Sequence, residues 1–242
     1  VEKAVAIAAG ILESGRSAIE AAVEACVVLE DDPVFNAGKG SVFRTDGSVY
    51  LDASIQTSEG KMGFVIGMQD TPNPIRVAAD LLDEEINGLS GDGARLWADS
   101  KGFERSNVQG RPPFEGATDT VGVVARDKSG LIVCATSTGG TSNRPPGRVG
   151  DVPLPGCGFW VQDGVGVGAT GIGEAITRGM ISLRVADRIL DGNGLEESMM
   201  WALDECLEED AEVGIIALGT EGTGHGVSNS TNMPWASWIA RK

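Results

Sequence analysis

Histidine, the usual general base of serine and cysteine hydrolases, occurs once in this sequence, at His225 in a segment rich in glycine and serine. A Ser-His-Asp or Cys-His site would have to use that residue. The sequence contains no HExxH motif, no cluster of histidine and cysteine with metal-ligand spacing, and no GxxxxGKS/T phosphate loop. The glycine pairs at 166/168 and 171/173 lack the strand-turn-helix context of a dinucleotide site. Histidine-assisted, zinc and nucleotide chemistry are therefore mostly excluded.

A hydroxyl nucleophile without histidine can be activated by a free α-amine, whose pKa of about 7.7 to 8.0 suits a general base at neutral pH. Such a nucleophile must stand at a chain terminus, so an internal residue qualifies only after backbone cleavage. Thr120 lies where a polar, glycine-containing linker meets an apolar strand, which is a plausible place for such a cut. On position alone, the ordinary explanation of this threonine is its high β-propensity.

The residues around Thr120 favour the catalytic interpretation. Three segments of the second half, in order and spacing, resemble the second subunit of the plant-type asparaginase/isoaspartyl peptidase family, which includes glycosylasparaginases and threonine aspartases. They are Asp119-Thr-Val-Gly-Val-Val-Ala125, Ala135-Thr-Ser-Thr-Gly-Gly140 and Pro146-Gly-Arg-Val-Gly-Asp151. In the first half, Phe35-Asn-Ala-Gly-Lys-Gly40, Asp46-Gly47 and Leu51-Asp-Ala-Ser-Ile55 resemble the first subunit. The resemblance covers nearly the whole chain.

The resemblance implies a role for each matching residue. Thr120 would be the nucleophile, released by self-cleavage after Asp119, and Thr138 would hydrogen-bond the Thr120 hydroxyl from the adjacent strand. Thr170 and Gly171 would form the oxyanion hole, and Gly173 would line the same pocket. Arg148 and Asp151 would bind the α-carboxylate and α-ammonium of a free amino acid, which suits a guanidinium fork and an aspartate.

No catalytic cofactor is implied by the resemblance, but relatives hold a structural sodium ion on backbone carbonyls. The matching residues are Leu29, Glu30, Asp32, Phe35, Ala37 and Lys39. Because carbonyl ligands do not depend on side-chain identity, the sequence itself does not test this site.

The implied fold is α+β, a four-layer αββα sandwich of the N-terminal-nucleophile (Ntn) hydrolase type. Residues 1–119 would form the first subunit, with a mobile linker over about 100–119, and residues 120–242 the second. Together they would make one domain, assembled as a dimer of such pairs. The expected activity is hydrolysis of L-asparagine or of β-aspartyl dipeptides. Glycosylasparaginase and threonine aspartase activity remain alternatives, as does an uncleaved, catalytically silent relative that only binds or scaffolds.

The elements that would position these residues follow from local patterns. Ser17 and Glu20 form a capping box at the start of a helix, and Pro74 after Asn73 starts another. The patterns predict helices over 1–13, 17–31, 73–85, 174–190 and 195–207, and strands over 48–55, 62–68, 121–125, 131–137, 165–170 and 213–219. A turn over 127–130 joins two strands, an exposed linker covers 87–116, and a loop covers 139–158. The family usually has a strand and a His-Gly-Gly-type loop before the first helix, and this sequence starts within that helix.

Composition limits the partners. The formal charge of −16 argues against nucleic acid and anionic membranes and favours a small-molecule substrate. No run approaches the roughly 18 apolar residues of a membrane helix, and the start lacks a basic signal-peptide region, so we expect a cytoplasmic protein.

Four dispersed cysteines predict buried thiols rather than disulfides. The acidic, lysine-poor composition also raises the hypothesis of adaptation to strong salt.

Overall fold

A computed structural model describes residues 1–112, 120–219, 221, 224–230 and 233–240. Its helices are α1 (Glu2–Glu13), α2 (Ala18–Asp31), α3 (Pro74–Asp80), α4 (Gly91–Ser100), α5 (Gly173–Gly179), α6 (Ile181–Leu190) and α7 (Leu195–Glu205). Its strands are β1 (Leu51–Thr57), β2 (Met62–Met68), β3 (Gly88–Ser90), β4 (Val121–Arg126), β5 (Ile132–Thr138), β6 (Phe159–Gln162), β7 (Val165–Gly171), β8 (Val213–Leu218) and β9 (Gly224–Ser228). Short 3-10 turns occur at Gly38–Gly40 and Leu81–Asp83. The predicted α+β class is confirmed.

Two sheets form the centre of the molecule. The first has the order β3-β2-β1-β5-β4, with only the β2–β3 pair parallel, and the second is the antiparallel sheet β6-β7-β8-β9. Strands β1, β4 and β5 contact β6, β7 and β8 of the other sheet. Between the sheets lies a small apolar cluster of Ile132, Cys134, Phe159 and Val161. Burial of this apolar surface helps to hold the two sheets together.

Helices cover the sheets. Helices α2 and α3 contact strands of the first sheet, and α6 and α7 contact strands of the second. The sequence explains α2 well. The Ser17 hydroxyl accepts a hydrogen bond from the Glu20 amide at 3.2 Å, as the capping box predicts. The helix then buries alanine, valine and leucine side chains. It ends at Asp31, as expected because proline disfavours helical backbone in the residue before it, here Asp32.

Several sequence predictions need correction. The predicted linker over 87–116 is wrong where β3 and α4 occupy its first part. Its next part, up to residue 112, is tied to the body by backbone hydrogen bonds such as Arg111 N–H to Ser41 O and Ser106 N–H to Asp70 O. Residues 113–119 lie outside the described part of the chain. Strands β6 and β9 were not predicted.

Boundaries of other elements also differ. The helix predicted over 174–190 is two helices, because Met180 has a left-handed backbone (φ 47°) that ends α5 and begins α6. The helix predicted over 73–85 ends at Asp80 and tightens into a 3-10 turn. The described residues contain no helix that is long and apolar enough to cross a membrane. All four cysteines are free, and three of them are buried.

Candidate active site

Two threonine hydroxyls meet where β4 and β5 come together. Val121 of β4 pairs with Ser137 of β5, which places Thr120, just before β4, opposite Thr138 at the end of β5. The Thr120 Oγ1 donates a hydrogen bond to Thr138 Oγ1 at 3.2 Å. The predicted adjacency of these two hydroxyls is therefore confirmed. Asp119, the predicted residue before the cleavage point, lies outside the described residues.

The Thr138 hydroxyl is fixed by the loop that follows it. The Gly140 N–H donates to Thr138 Oγ1 at 2.9 Å, and Thr138 Oγ1 has a long contact of 3.5 Å with the carbonyl oxygen of Asn36. Asn36 is fully buried. Its amide donates to Gly140 O at 2.8 Å and accepts from the Val42 N–H at 3.0 Å. In the sequence, Asn36 stands out only as a member of the Phe35–Gly40 segment that carries the family resemblance. Its role, a buried amide that satisfies loop backbone groups, depends on contacts with residues distant in sequence.

Thr170 and Gly171 lie at the end of β7, beside a large cavity. Thr120, Thr170 and Gly171 all line this cavity of about 1150 Å³, with residues of α1, β4 and segment 233–240 around the rest. Gly171 has a φ of 131°, and a Cβ there would collide with the carbonyl oxygen of Glu212. Position 171 therefore requires glycine, and its backbone remains open to the cavity.

Arg148 and Asp151 converge on Gly173 at the start of α5. A Cβ on Gly173 would lie 2.7 Å from both Arg148 Nη2 and Asp151 Oδ1, so only glycine leaves room for these groups. Arg148 makes a two-pronged ion pair with Glu174, with Nε to Oε1 at 3.1 Å and Nη2 to Oε2 at 2.9 Å. The sequence did not single out Glu174. These hydrogen bonds from Arg148 lower the pKa of Glu174.

Asp151 is buried, and its Oδ2 has no hydrogen-bond partner among the described residues. Burial raises the pKa of Asp151 to about 7, although the positive charge of Arg148 acts in the opposite direction. The Asp151 backbone is held firmly, because its carbonyl oxygen accepts from the N–H groups of Leu154 and Gly158. The Gly158 carbonyl in turn accepts from Ala169 N–H, one residue before Thr170. Asp151 is thus fixed to strand β7.

Arg44 and Asp52 join the two groups of residues, and sequence reasoning did not identify either as part of the site. Asp52 of β1 is the register partner of Thr138 on β5. Its Oδ1 accepts from Gly67 N–H at 2.7 Å, and burial raises its pKa to about 6 against the opposing charges of Arg44 and Arg148. Arg44 is almost fully buried and donates from Nη1 to Thr141 O at 2.9 Å. The threonine pair and the Arg148 cluster therefore share one electrostatic environment.

The six carbonyl residues of the expected sodium site run from the last turn of α2 (Leu29, Glu30) through the connecting turn (Asp32, Phe35, Ala37) to the 3-10 turn (Lys39). The carbonyl oxygens of Leu29, Asp32 and Ala37 accept backbone hydrogen bonds at 3.1–3.3 Å from Asp32, Phe35 and Gly40. Each oxygen keeps a second lone pair, and such carbonyls suit a hard cation.

Two of these six residues also make side-chain contacts. The buried Glu30 carboxylate accepts from the Ser137 hydroxyl at 2.7 Å and from Ile75 N–H at 3.1 Å, and the exposed Lys39 pairs with Asp31. Among the residues described, no group of three or more histidine, cysteine, aspartate or glutamate side chains could hold a metal ion.

His225, the only histidine of the sequence, also lines the cavity that Thr120 borders. Its ring packs against Trp235 with 5.1 Å between ring centroids, and its Nε2 lies 3.7 Å from a Glu196 carboxylate oxygen.

An α+β fold that pairs two threonine hydroxyls, and that brings an arginine and a buried carboxylate together at Gly173, has the groups that an amide hydrolase needs. The chain matches the family model described as asparaginase over residues 1–112 and 107–242. The protein therefore belongs to the asparaginase family.

Curated relatives agree with this assignment. The chain is 40% identical to a plant-type L-asparaginase of Pyrobaculum calidifontis over 74% of this chain and 68% of that protein. It is 34% identical to an isoaspartyl peptidase/L-asparaginase of Bos taurus over 97% of this chain and 84% of that protein. It is 32% identical to one of Synechocystis over 87% of this chain and 72% of that protein.

Proposed function

We propose that the protein is an autoprocessing threonine amidohydrolase that converts L-asparagine to aspartate and ammonia and also hydrolyses β-aspartyl dipeptides. The observation that carries the proposal is the 3.2 Å hydrogen bond between the hydroxyls of Thr120 and Thr138 at the start of β4. The names of the relatives, L-asparaginase and isoaspartyl peptidase, support the substrate class. In this proposal the nucleophile is the Thr120 hydroxyl.

Self-cleavage would precede turnover. The Thr120 Oγ attacks the carbonyl carbon of Asp119, an ester bond forms, and the peptide C–N bond breaks as the nitrogen takes up a proton. Water then hydrolyses the ester, which leaves a carboxylate on Asp119 and a free α-amine on Thr120. That amine has the pKa range of a general base at neutral pH.

Turnover would use the same hydroxyl. The Thr120 amine takes the hydroxyl proton while Oγ attacks the side-chain carbonyl of asparagine, and Thr138 orients that hydroxyl. Thr170 Oγ1 and the Gly171 N–H stabilise the tetrahedral oxyanion, a role usually worth about 100-fold or more per donor. The protonated amine gives its proton to the leaving ammonia, and water hydrolyses the remaining ester. Arg148 and Asp151, with Gly173 beside them, bind the α-carboxylate and α-ammonium.

The proposal extends to the fold and the assembly. The contacts of helices and sheets support a four-layer αββα sandwich of the Ntn hydrolase type. Subunits 1–119 and 120–242 would stay together as one domain after cleavage, because β1 of the first pairs with β5 of the second. We further propose a structural sodium ion on the carbonyl oxygens of Leu29, Glu30, Asp32, Phe35, Ala37 and Lys39. We also propose a dimer of such subunit pairs, which size-exclusion chromatography with light scattering would test.

Intact-mass spectrometry and ammonia release test the function together. We expect the wild type to yield two fragments with a boundary between Asp119 and Thr120, and to release ammonia from asparagine. Thr120→Ala should remain one chain without activity, whereas Thr118→Ala, two residues away, should be cut at the same bond. Ammonia release by intact Thr120→Ala would overturn the proposal.

A substrate panel separates the alternatives. Asparagine, β-aspartyl dipeptides and glycosylated asparagine should be compared on the cleaved enzyme. Faster release of the sugar amine than of ammonia would favour a glycosylasparaginase, and cleavage of folded protein substrates would favour a threonine aspartase. Binding of aspartate without turnover, after confirmed cleavage, would favour a catalytically silent relative.

A further inference from the structure

Arg148 uses one edge of its guanidinium for Glu174. A guanidinium has five N–H donors, and Glu174 accepts one from Nε and one from Nη2. The second Nη2 hydrogen and both Nη1 hydrogens remain, and Nη1 lies 2.7 Å from where a Cβ of Gly150 would stand. The Nη1–Nη2 edge is therefore the one that a ligand carboxylate can reach in two-pronged geometry.

Asp151 stands beside this guanidinium without being paired to it. Arg148 Nη2 and Asp151 Oδ1 approach the same point above Gly173, yet the ion pair of Arg148 is made with Glu174. The Oδ2 of Asp151 is buried and lacks a partner among the residues described. A buried carboxylate next to an arginine would normally pair with it, since an unpaired buried charge is costly.

Solvent exposure shows which member of the Arg148–Glu174 pair lies closer to the protein surface. The Arg148 side chain is only 10% exposed, whereas the Glu174 side chain is 38% exposed. Glu174 therefore holds the guanidinium from the solvent side, and Asp151 lies on the buried side. Without this hold, a short rotation of the arginine would bring it onto Asp151.

We propose that Glu174 is a positioning residue that keeps Arg148 away from Asp151, so that both remain available to the two charged groups of an α-amino acid. This inference rests on the proposed amidohydrolase function and deepens it. In a variant without the Glu174 charge, Arg148 pairs with Asp151, and the sites for the α-carboxylate and the α-ammonium are lost together. Self-cleavage does not involve a free α-amino acid, so it is unaffected.

The test compares Glu174→Gln with Glu208→Gln. Glu208 forms the same two-pronged pair with Arg178 of α5, but both side chains are more than half exposed and lie outside the proposed site. For Glu174→Gln we expect the KM for asparagine to rise about tenfold or more, with kcat within about threefold of wild type. The Kd for L-aspartate should rise in parallel. Glu174→Asp, which keeps the charge, should recover part of the loss.

The controls decide between positioning and general structural damage. Glu208→Gln should stay within about twofold of wild type in KM, and both glutamine variants should cleave themselves at the wild-type rate. Wild-type turnover with an unchanged KM in Glu174→Gln would overturn the inference alone. A parallel loss of self-cleavage, kcat and melting temperature in Glu174→Gln would assign Glu174 a structural role instead. A wild type that neither cuts itself nor hydrolyses asparagine would overturn the proposed function, and this inference with it.

Discussion

At the scale of single residues, the Thr138 hydroxyl has two tasks that can be separated. It accepts from the Gly140 N–H, which stabilises the loop after β5, and it accepts from the Thr120 hydroxyl, which orients the proposed nucleophile. Thr136, two residues earlier on the same face of β5, is equally buried and shares its hydroxyl hydrogen bond with Ser54 instead. The two threonines thus differ in their relation to Thr120.

Thr138→Val should therefore lower kcat strongly and the free energy of unfolding only modestly. Valine keeps the shape and β-propensity but leaves the Gly140 N–H unpaired, which costs about 1–3 kcal/mol in the free energy of unfolding. We expect kcat for asparagine to fall about 100-fold, because the Thr120 hydroxyl loses its acceptor. Steady-state kinetics on the cleaved enzyme and urea denaturation measure the two effects.

Thr136→Val is the control for this prediction. It removes a hydroxyl of equal burial and should lower the free energy of unfolding by a similar amount, with kcat within about threefold of wild type. Equal losses of kcat in the two variants would contradict a specific role for Thr138.

At the scale of elements, Asp127 joins parts of the chain that are distant in sequence. Its Oδ1 accepts from the amides of Ser129 and Leu131 in the turn between β4 and β5. Its Oδ2 accepts from Ala18 N–H at 2.9 Å, at the start of α2. One carboxylate thus closes the hairpin that carries Thr120 and Thr138 and caps the helix packed on it.

Asp127→Ala should destabilise the protein by about 1–3 kcal/mol, because it removes a helix cap and a turn at once. The active-site residues stay in place, so we expect kcat to change less than about twofold. Asp46→Ala is the matched control, since Asp46 is exposed and accepts similar turn hydrogen bonds from Ser48, and no hydrogen bond joins it to a helix in the described part of the chain. The control should cost less than about 1 kcal/mol. Chemical denaturation decides, and equal costs for the two variants would refute the bridging role.

The contacts of Asp127 also show which hydrogen bonds can be predicted from the sequence. The turn over 127–130 and the cap at Ser17 were predicted, because their hydrogen bonds join residues two to four positions apart. The bond from Ala18 to Asp127 spans 109 positions and left no local pattern. The break at Met180 was missed for another reason. Apolar spacing continues through it, and only a backbone angle that glycine normally adopts divides the helices.

The candidate site follows the same rule. The family resemblance implied the pairing of Thr120 with Thr138, and the hairpin spacing agreed with it, since antiparallel neighbours joined by a short turn face each other. Asn36, Asp52 and Glu174 could not be found this way. Each meets its partner across 15 or more positions in the sequence, and each is a common residue type whose local surroundings look like an ordinary loop, strand or helix.

At the scale of the whole molecule, charge is the dominant feature. The formal charge of −16 produces self-repulsion that salt screens, with a Debye length of about 10 Å at 0.1 M. Under the salt-adaptation hypothesis, activity on asparagine should increase on addition of KCl and remain high at molar concentrations. Activity that is highest without salt and falls steadily with KCl would rule the hypothesis out. Repeating the series in NaCl separates screening from a specific effect of the proposed sodium ion.

Three buried carboxyls give the protein an unusual pH dependence of stability. Burial raises the pKa of Glu30 to about 8, of Asp151 to about 7 and of Asp52 to about 6, each well above its value in an unfolded chain. Between about pH 5 and 8, the folded state therefore binds more protons than the unfolded state. The free energy of unfolding must then fall as the pH rises through this window.

We expect the melting temperature to be higher at pH 5.5 than at pH 8, with each carboxyl contributing up to about 1.4 kcal/mol per pH unit while only the folded state holds its proton. Less repulsion at lower pH acts in the same direction. Below about pH 4 the trend should reverse, because Asp127 and Glu174 have lowered pKa values and lose their partners on protonation.

Glu30→Gln should flatten the plot of melting temperature against pH between pH 7 and 8.5, whereas Glu20→Gln, at an exposed helix position, should leave it unchanged. A melting temperature that is constant or rises from pH 5.5 to 8 in the wild type would mean that these carboxyls are ionised in the folded protein at little cost, and that water or an ion reaches them in the interior.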